Sequence, residues 1–574
     1  VTRTMYTIRM PTGNYLEGKF DLKFELNNQI FSTSDSSVVP GSFSFPASAP
    51  LTRRNRIELG NPHLVTNSRD WQTFEGVWVE LHGAAIFQGK LTIRRASPQK
   101  IDFDIVANPL SALKQVPLNT LDLGGDRSFA DADAVLAHAL DTANTPLDFD
   151  YVFFPIFNPD FIAHPDYSKP KSYYQNFFQP FDIPPLTAHF EVDNDYPALM
   201  PFARLEYVLQ QMFAGQEFTF RNKFQLTDEL RGICLYNNRS LWTEEGLETV
   251  INLQNHVSDT PSTALLRKIM GGFNLGLFTS IFNRTIDLVP LRDIVSRPPA
   301  HDWTEYVIGD LEIDSKDKPA DVICWKTDDT DAAFEWYAKQ KKPAAADVDA
   351  TINTADLTTA ADGIYYVEDQ HAYFSVGARI KHLYTTLGCA PAESGQNPFE
   401  AEAMALWDAH LQWEAYVGTA PEDVAMRKMP HIRTIGTVAY EVPGDPDPEV
   451  IRTEAKVPDR ITIYRGMYDV WDGTDDYPLA TGLPWDAKGN LIGDISLRWD
   501  GQYGMYDTWW KTWHTMLTAG KPVSIAIALP VAALTRFSFQ DKIRILNMDY
   551  MVKRLRVSRP LRRGIVLVDR KSVV

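Results

Sequence analysis

Residues 541–570 read DKIRILNMDYMVKRLRVSRPLRRGIVLVDR, and their spacing decides how the rest of the chain is read. Three β-type runs follow one another at 543–546, 550–557 and 565–568. A tight turn over Asn547, Met548 and Asp549 joins the first two, and a loop rich in Pro and Arg joins the second pair. Alternation along the middle run sets Tyr550, Val552, Arg554 and Arg556 on one face and Met551, Lys553, Leu555 and Val557 on the other. The second face is the more apolar, with Lys553 interrupting it. Residues 77–106 read VWVELHGAAIFQGKLTIRRASPQKIDFDIV, with a turn at His82-Gly83, a loop at Ser97-Pro98-Gln99-Lys100 and runs of similar length. A three-strand unit is thus written twice. An ungapped match sets Gly83 and Gly89 against Asn547 and Lys553.

A chain of 574 residues exceeds what one core holds, and roughly three to five domains are expected. With 44% hydrophobic and 23% charged residues the composition is that of a folded protein rather than a disordered one. A net charge of −18 argues against a surface that wraps nucleic acid. The charge is uneven: residues 1–115 carry +3 and 541–574 carry +7, which leaves −28 for the middle. The basic tail (Lys553, Arg554, Arg556, Arg559, Arg562, Arg563, Arg570, Lys571) admits a DNA contact, but alternating basic residues on strands fit better a solvated face or a face docked on an acidic neighbouring copy. Cys234, Cys324 and Cys389 are odd in number and widely spaced, which suggests a reducing compartment without a disulfide framework. Residues 1–10 hold no apolar signal-peptide core, and the longest apolar run, 525–534, is broken by Pro530, so no membrane span is expected.

Five regions are expected. Residues 1–115 form an N-terminal β domain, with strands at 6–10 and 20–26 before an Asn27-Asn28 turn, a Ser- and Pro-rich loop over 39–47, a basic stretch (Arg53, Arg54, Arg56) and an end at Asn108-Pro109-Leu110. Residues 116–195 read as an aromatic-rich insertion or arm with a short helix at 131–141. Residues 196–300 form an α+β domain. Pro201 opens its first helix, whose apolar stripe is Leu205, Val208, Leu209, Met212 and Phe213; strands follow at 217–221 and 232–236. Ser262 or Thr263 caps a second helix with Leu265, Leu266, Ile269, Met270 and Phe273 on its inner face, before a hairpin of 276–281 with 285–290. Residues 301–454 read as a second insertion with a hairpin of 363–367 and 372–376, a helix over 399–415, and linkers at 343–361 and 444–449. Residues 455–574 form a C-terminal β domain that starts near Arg460 and contains a helix rich in Trp (Trp509, Trp510, Trp513) before a buried strand at 523–529.

Chemistry finds little footing. No phosphate loop, dinucleotide fingerprint, HExxH or Gly-x-Ser-x-Gly is present. His63, His82, His138 and His514 lack partners at zinc-ligand spacing, and His382 with Cys389 makes a poor pair. The best acidic cluster is Asp469, Asp472, Asp475 and Asp476 beside Trp471 and Tyr477. Calcium or a sugar would suit it, but the EF-hand spacing is missing and Asp and Gly are ordinary turn residues, so a solvated hairpin turn is the favoured reading. The Trp509, Trp510 and Trp513 group either stacks on carbohydrate or forms the inner face of a helix over a sheet; helical spacing with Tyr506, Met516 and Leu517 favours the second. No catalytic, cofactor-binding or metal-binding residue is assigned, and no enzyme is expected.

Three blocks resemble tail hub proteins of tailed bacteriophages: GSFSFPASAPLTRRNRIELGNP leading into the first unit, STALLRKIMGGFNLGLFTSIFNRTIDLVPLRDI, and SLRWDGQYGMYDTWWKTWHTML with FSFQDKIRILNMDYMVKRLRV. The resemblance covers 1–115, 196–295 and 455–560, about half the chain. It implies an α+β, mainly β, multidomain fold with antiparallel β-barrel-like tube domains, helix–hairpin units and irregular insertions. It implies a homotrimer in which two similar domains per subunit make a six-membered ring. That ring would match the tail tube or distal tail protein above and a tip spike, fibre or receptor-binding protein below, with DNA only in transit through the lumen. On charge alone the acidic middle suits such a lumen or, equally, a solvent-facing surface. Such a protein is assembled in the host cytoplasm and ends in the virion. The alternative is a receptor- or carbohydrate-binding tail-tip protein that uses the aromatic insertions and the Trp471/Tyr477 loop. A cell-wall-degrading protein would rest on the Asp469–Asp476 cluster alone.

Overall fold

The computed structural model describes residues 6–18, 24–27, 43–64, 73–81, 84–107, 116–162, 174–179, 189–193, 197–214, 218–280, 285–313, 323–325, 342–353, 356, 359–368, 372–377, 381–385, 399–401, 410–411, 430–442, 449–457, 459–469, 476–485, 490–497, 499, 501–559 and 565–573. The chain is an α+β protein, mainly β, with several sheets arranged around two large cores.

The first unit starts one strand earlier than the repeat suggests. Strand Phe43–Pro50 leads into helix Arg53–Glu58, and the meander Thr73–Leu81, Ala84–Ala96, Lys100–Ala107 follows. The lead strand then pairs antiparallel with the last one, from Phe43↔Ala107 to Pro50↔Lys100. Tyr6–Arg9 closes the far side against Thr73–Leu81. The loop expected over 39–47 is therefore strand from Phe43 onward. It runs at the sheet's edge, where Pro46 and Pro50 deprive no interior ladder of a donor, and it buries Ala49. The basic stretch becomes a short helix because the Thr52 hydroxyl accepts from the Asn55 amide at its start.

The second unit has the same plan: strand Pro522–Ile527, helix Val531–Arg536, then Lys542–Ile545, Met548–Arg559 and Ile565–Val573, with the lead strand antiparallel to the last. Its first turn is not Asn547-Met548-Asp549. Ile545 pairs with Met548, so the connection is Leu546-Asn547, with φ of 50° and 60°. Two successive left-handed residues give the twist of a tight hairpin. The expected facing of the middle strand also fails. A β-bulge between Val552 and Arg554 inserts Lys553 as the extra residue and shifts the alternation, so Leu555 joins Tyr550 and Val552 in one core while Met551 lies in the other.

Segment 301–313 contributes to this second sheet. His301–Asp302 runs parallel to Ile543 and Arg544 on one side, Glu312–Ile313 pairs with Val523 and Ser524 on the other, and Trp303, 1% exposed, fills the core between.

The larger core gathers the central chain. Helix Ala132–Asn144, with the Asp131 carboxylate accepting from the Ala134 amide, bears out the helix expected at 131–141. Helix Leu205–Phe213 buries the five apolar residues of its expected stripe. Pro201 does not open it; Phe202–Ala203 pairs as strand with Tyr151–Val152, and Arg204 stands at the cap. Helix Ser262–Gly272 begins after Pro261 with no side-chain cap, because the Ser262 hydroxyl donates to the Val116 carbonyl instead. Leu275–Ser280 and Thr285–Pro290 form the expected hairpin, and so do Gly363–Val367 and Ala372–Val376. Of the helix expected over 399–415, the described residues are strand instead, Phe399–Ala401 parallel to Ile323–Trp325 and His410–Leu411 against Pro430–His431, and the rest of that stretch lies outside the described residues. The linker expected at 343–361 contains strand Ala350–Ile352, which pairs with Tyr365–Val367. The turns at Asn27-Asn28 and His82-Gly83, the Asn108-Pro109-Leu110 end and 444–449 lie wholly or partly outside the described residues.

Candidate functional site

The candidate site is the pair of repeated units and the core they share. Their ladders correspond at the turn and in the strand pairs beyond it, though not at every bulge. Leu81↔Ala84 and Glu80↔Ala85 in the first answer to Ile545↔Met548 and Arg544↔Asp549 in the second. Leu91↔Ile105 answers to Leu555↔Val568, and a bulge between Ile93 and Arg95 answers to one between Val557 and Arg559. The lead strands agree as well: Phe45↔Ile105 corresponds to Ile525↔Val568. Ile8, Val77, Val79, Leu91, Ile93 and Phe103 of the first unit join Ile525, Ile527, Ile543, Tyr550, Val552 and Leu555 of the second in one apolar cluster. Apolar burial on this scale locks the units together within one chain.

A single strand ties them further. Phe24–Asn27 pairs antiparallel with the middle strand of the second unit, from Phe24↔Val557 to Asn27↔Arg554. The expected basic edge is consequently not an edge. Arg554 has Asn27 and Asp569 as its backbone neighbours, and Arg556 has Glu25 and Leu567. Lys542 is likewise committed: its ammonium donates to the Val295 carbonyl at 2.9 Å, and burial lowers its pKa. Arg544 pairs with Asp549 at 2.9 Å. The remaining basic residues of 559–571 carry no described side chain.

A buried carboxylate joins the second unit to the central body. Asp287 accepts from Arg221 at 2.5 Å, from Lys223 at 2.7 Å and from Gln540, just before the second meander, at 3.2 Å. Burial pushes its pKa up, but these donors outweigh burial and the net shift is downward.

The other residues singled out by sequence do not converge among the described residues. Asp469 pairs across a hairpin with Asp476; residues 470–475, Trp471 among them, lie outside the described residues, and Tyr477 is 2% exposed. Trp509, Trp510 and Trp513 are buried as the inner face of the expected helix, entered through a π-helical turn at Tyr506–Trp510. Arg292 lies 3.8 Å over the Trp509 ring, and the Trp510 indole donates to the Gly272 carbonyl. Among the described aromatic residues of 116–195, Phe154 stacks on Phe202 at 4.3 Å, and Phe153, Phe161, Phe178 and Phe190 are buried with it. His138 meets the Tyr151 hydroxyl at 2.8 Å among Phe129 and Phe149, and His514 meets Tyr506 at 2.8 Å. Cys234 is buried, its thiol pushed up to about 12 by desolvation. The side chains of His82, Cys324, His382 and Cys389 are outside the described residues. Among the described residues no group of three or more His, Cys, Asp or Glu is arranged to hold a metal, and no helix is long and apolar enough to cross a membrane.

No protein-family model and no curated protein matches the chain. Among solved structures, a 43 kDa tail protein of prophage MuSo2 from Shewanella oneidensis aligns over 99% of this chain and 98% of its own, at 6% identity and a TM-score of 0.35. Prophage tail protein gp18 from Listeria monocytogenes EGD-e aligns over 55% of this chain and 60% of its own, at 8% identity and a TM-score of 0.21.

Proposed function

We propose that this chain is a structural protein of a bacteriophage tail, a hub that forms a ring at the distal end of the tail tube. The observation that supports it is the repeated strand–helix–meander unit, matched in register and fused through one core. Two like domains in each of three subunits would present six similar surfaces to a sixfold tube and threefold symmetry to a spike or fibre below. The acidic middle of the chain, −28 over 116–540, would suit a lumen through which DNA passes without adhering. Tyr477 and the aromatics Phe153, Phe154, Phe161, Phe178 and Phe190 are buried and offer no platform for the tail-tip receptor reading, while Trp471 lies outside the described residues. Imaging the purified protein and the virion tail tests the proposal. Three copies in a ring with a central channel are expected; a monomer in both settings overturns it, and a basic channel wall overturns the acidic lumen.

A further inference from the structure

Away from the repeated units, two short hairpins face each other. One is Trp242–Thr243 with Gly246–Leu247, the other Val438–Glu441 with Val450–Thr453. Arg239 and Thr437, bridged by their backbones, set the distance between them. A cavity of about 360 Å³ opens on one side of this bridge and a second of about 420 Å³ on the other; Arg239, Thr437 and Arg452 line both. Each lies within the range of small-ligand sites, about 300–1,000 Å³.

The lining is specific in kind. Trp242 is half-buried, packed against the large core while also lining the first cavity. The Arg239 guanidinium makes no hydrogen bond or ion pair among the described residues, although it lies close enough to Glu248 to act on its charge. Arg452 holds only Glu454, at 3.2 Å in a pair that is largely solvated and so of little worth. Glu244, Glu245 and Glu248 line the same first cavity, Glu244 and Glu245 at exposed positions on its rim. Burial raises the pKa of Glu248 and Arg239 lowers it, burial being the larger effect.

We propose that this cleft binds an acidic saccharide, one whose sugar units carry a carboxylate. The Arg239 and Arg452 guanidiniums provide forked donors matched to a carboxylate. Glu244 and Glu248 accept from the hydroxyls of the same sugar, and Trp242 offers a flat apolar face to the ring's C–H groups. Neither a simple anion nor a simple cation suits the lining: the carboxylates repel the first and the guanidiniums the second. An apolar ligand would cover Arg239 and the glutamates of the first cavity without giving them partners. Because the two cavities share three residues, more than one sugar unit fits along the cleft.

Calorimetric titration of the full chain with trigalacturonate tests this, with maltotriose as the neutral counterpart and triglutamate as a peptide of like charge. Trigalacturonate is expected to bind, and the other two to bind at least about tenfold more weakly, since one charge-assisted hydrogen bond is worth about that factor. Arg239→Ala should weaken trigalacturonate binding about tenfold while leaving the thermal transition within a few degrees of the parent, and Trp242→Ala should weaken it by a similar factor. Arg452→Gln, at an exposed position, provides a second variant whose folding is not in question. The proposal is overturned by failure of trigalacturonate to bind, by equal binding of maltotriose or triglutamate, or by affinity unchanged in both arginine variants. None of these outcomes bears on the ring, which involves other residues.

Discussion

The two repeated units share a ladder and differ in what lies on their other face. The first leaves that face to water and charge: Arg9 with Glu80 at 2.9 Å, Lys90 with Glu75 at 2.8 Å, Lys100 with Asp102 at 2.8 Å, and Arg94 with Asp104. The second has the central body against it. Met551 enters the larger core, Lys542 reaches the Val295 carbonyl, and Gln540 reaches Asp287. One backbone plan thus serves as an outer layer in one place and as a middle layer in the other. The side chains of one face, the positions of bulges and the flanking strands (Tyr6–Arg9 on the first unit, 301–313 and 24–27 on the second) distinguish them.

Breaking the shared part should damage both units alike. Leu91→Ala and Leu555→Ala remove corresponding, fully buried side chains, and each should cost about 2–5 kcal/mol in denaturant unfolding. A large cost at one with little at the other would show that the two ladders do not bear equally on the core. Changes on the other face should separate the units. Met551→Ala is expected to cost about 2–4 kcal/mol, whereas Lys90→Ala, at an exposed ion pair, should cost under about 1 kcal/mol. Equal losses would remove the distinction between outer and middle layer.

Asp287 sharpens the comparison through pH, since the first unit has no equivalent tie among the described residues. Its net pKa in the fold lies below the ordinary carboxylate value, so its contribution is present above about pH 4 and is lost as pH falls through the folded value. Asp287→Asn should cost about 1–3 kcal/mol at neutral pH, a modest figure because Arg221 and Lys223 remain partly solvated, and the gap to the parent should close in acid. A gap constant down to pH 3 would disconnect the carboxylate's charge from stability. The smallest effect belongs to the turn. Leu546 is half-exposed with a φ of 50°, so Leu546→Gly should stabilise the protein by about 1 kcal/mol. A loss of stability there would mean that the leucine side chain contributes packing.

Much of this architecture was legible from local pattern. The repeated three-strand unit, the helix stripes from Leu205 and Leu265 and the inward Trp509 follow from periodicities that a residue and its near neighbours set. The misread elements depended on distant partners. Residues 43–50 look like a loop until Lys100–Ala107 supplies the ladder, and Ser262 looks like a cap until the Val116 carbonyl claims its hydroxyl. The bulge at Lys553 changes which residues face which core, and its one mark in hydropathy, the lysine interrupting an apolar face, does not by itself tell a bulge from a polar residue on that face. The Arg239 cleft was not read at all, since its two walls are contributed by hairpins some two hundred residues apart and neither carries a motif. Sequence by itself determined that a β unit occurs twice and which helices carry apolar faces, because those depend on spacing along the chain. Tertiary structure alone decided that the two units fuse, that their basic strand lies mid-sheet, and that one outer face is covered, because those depend on which distant surface excludes water.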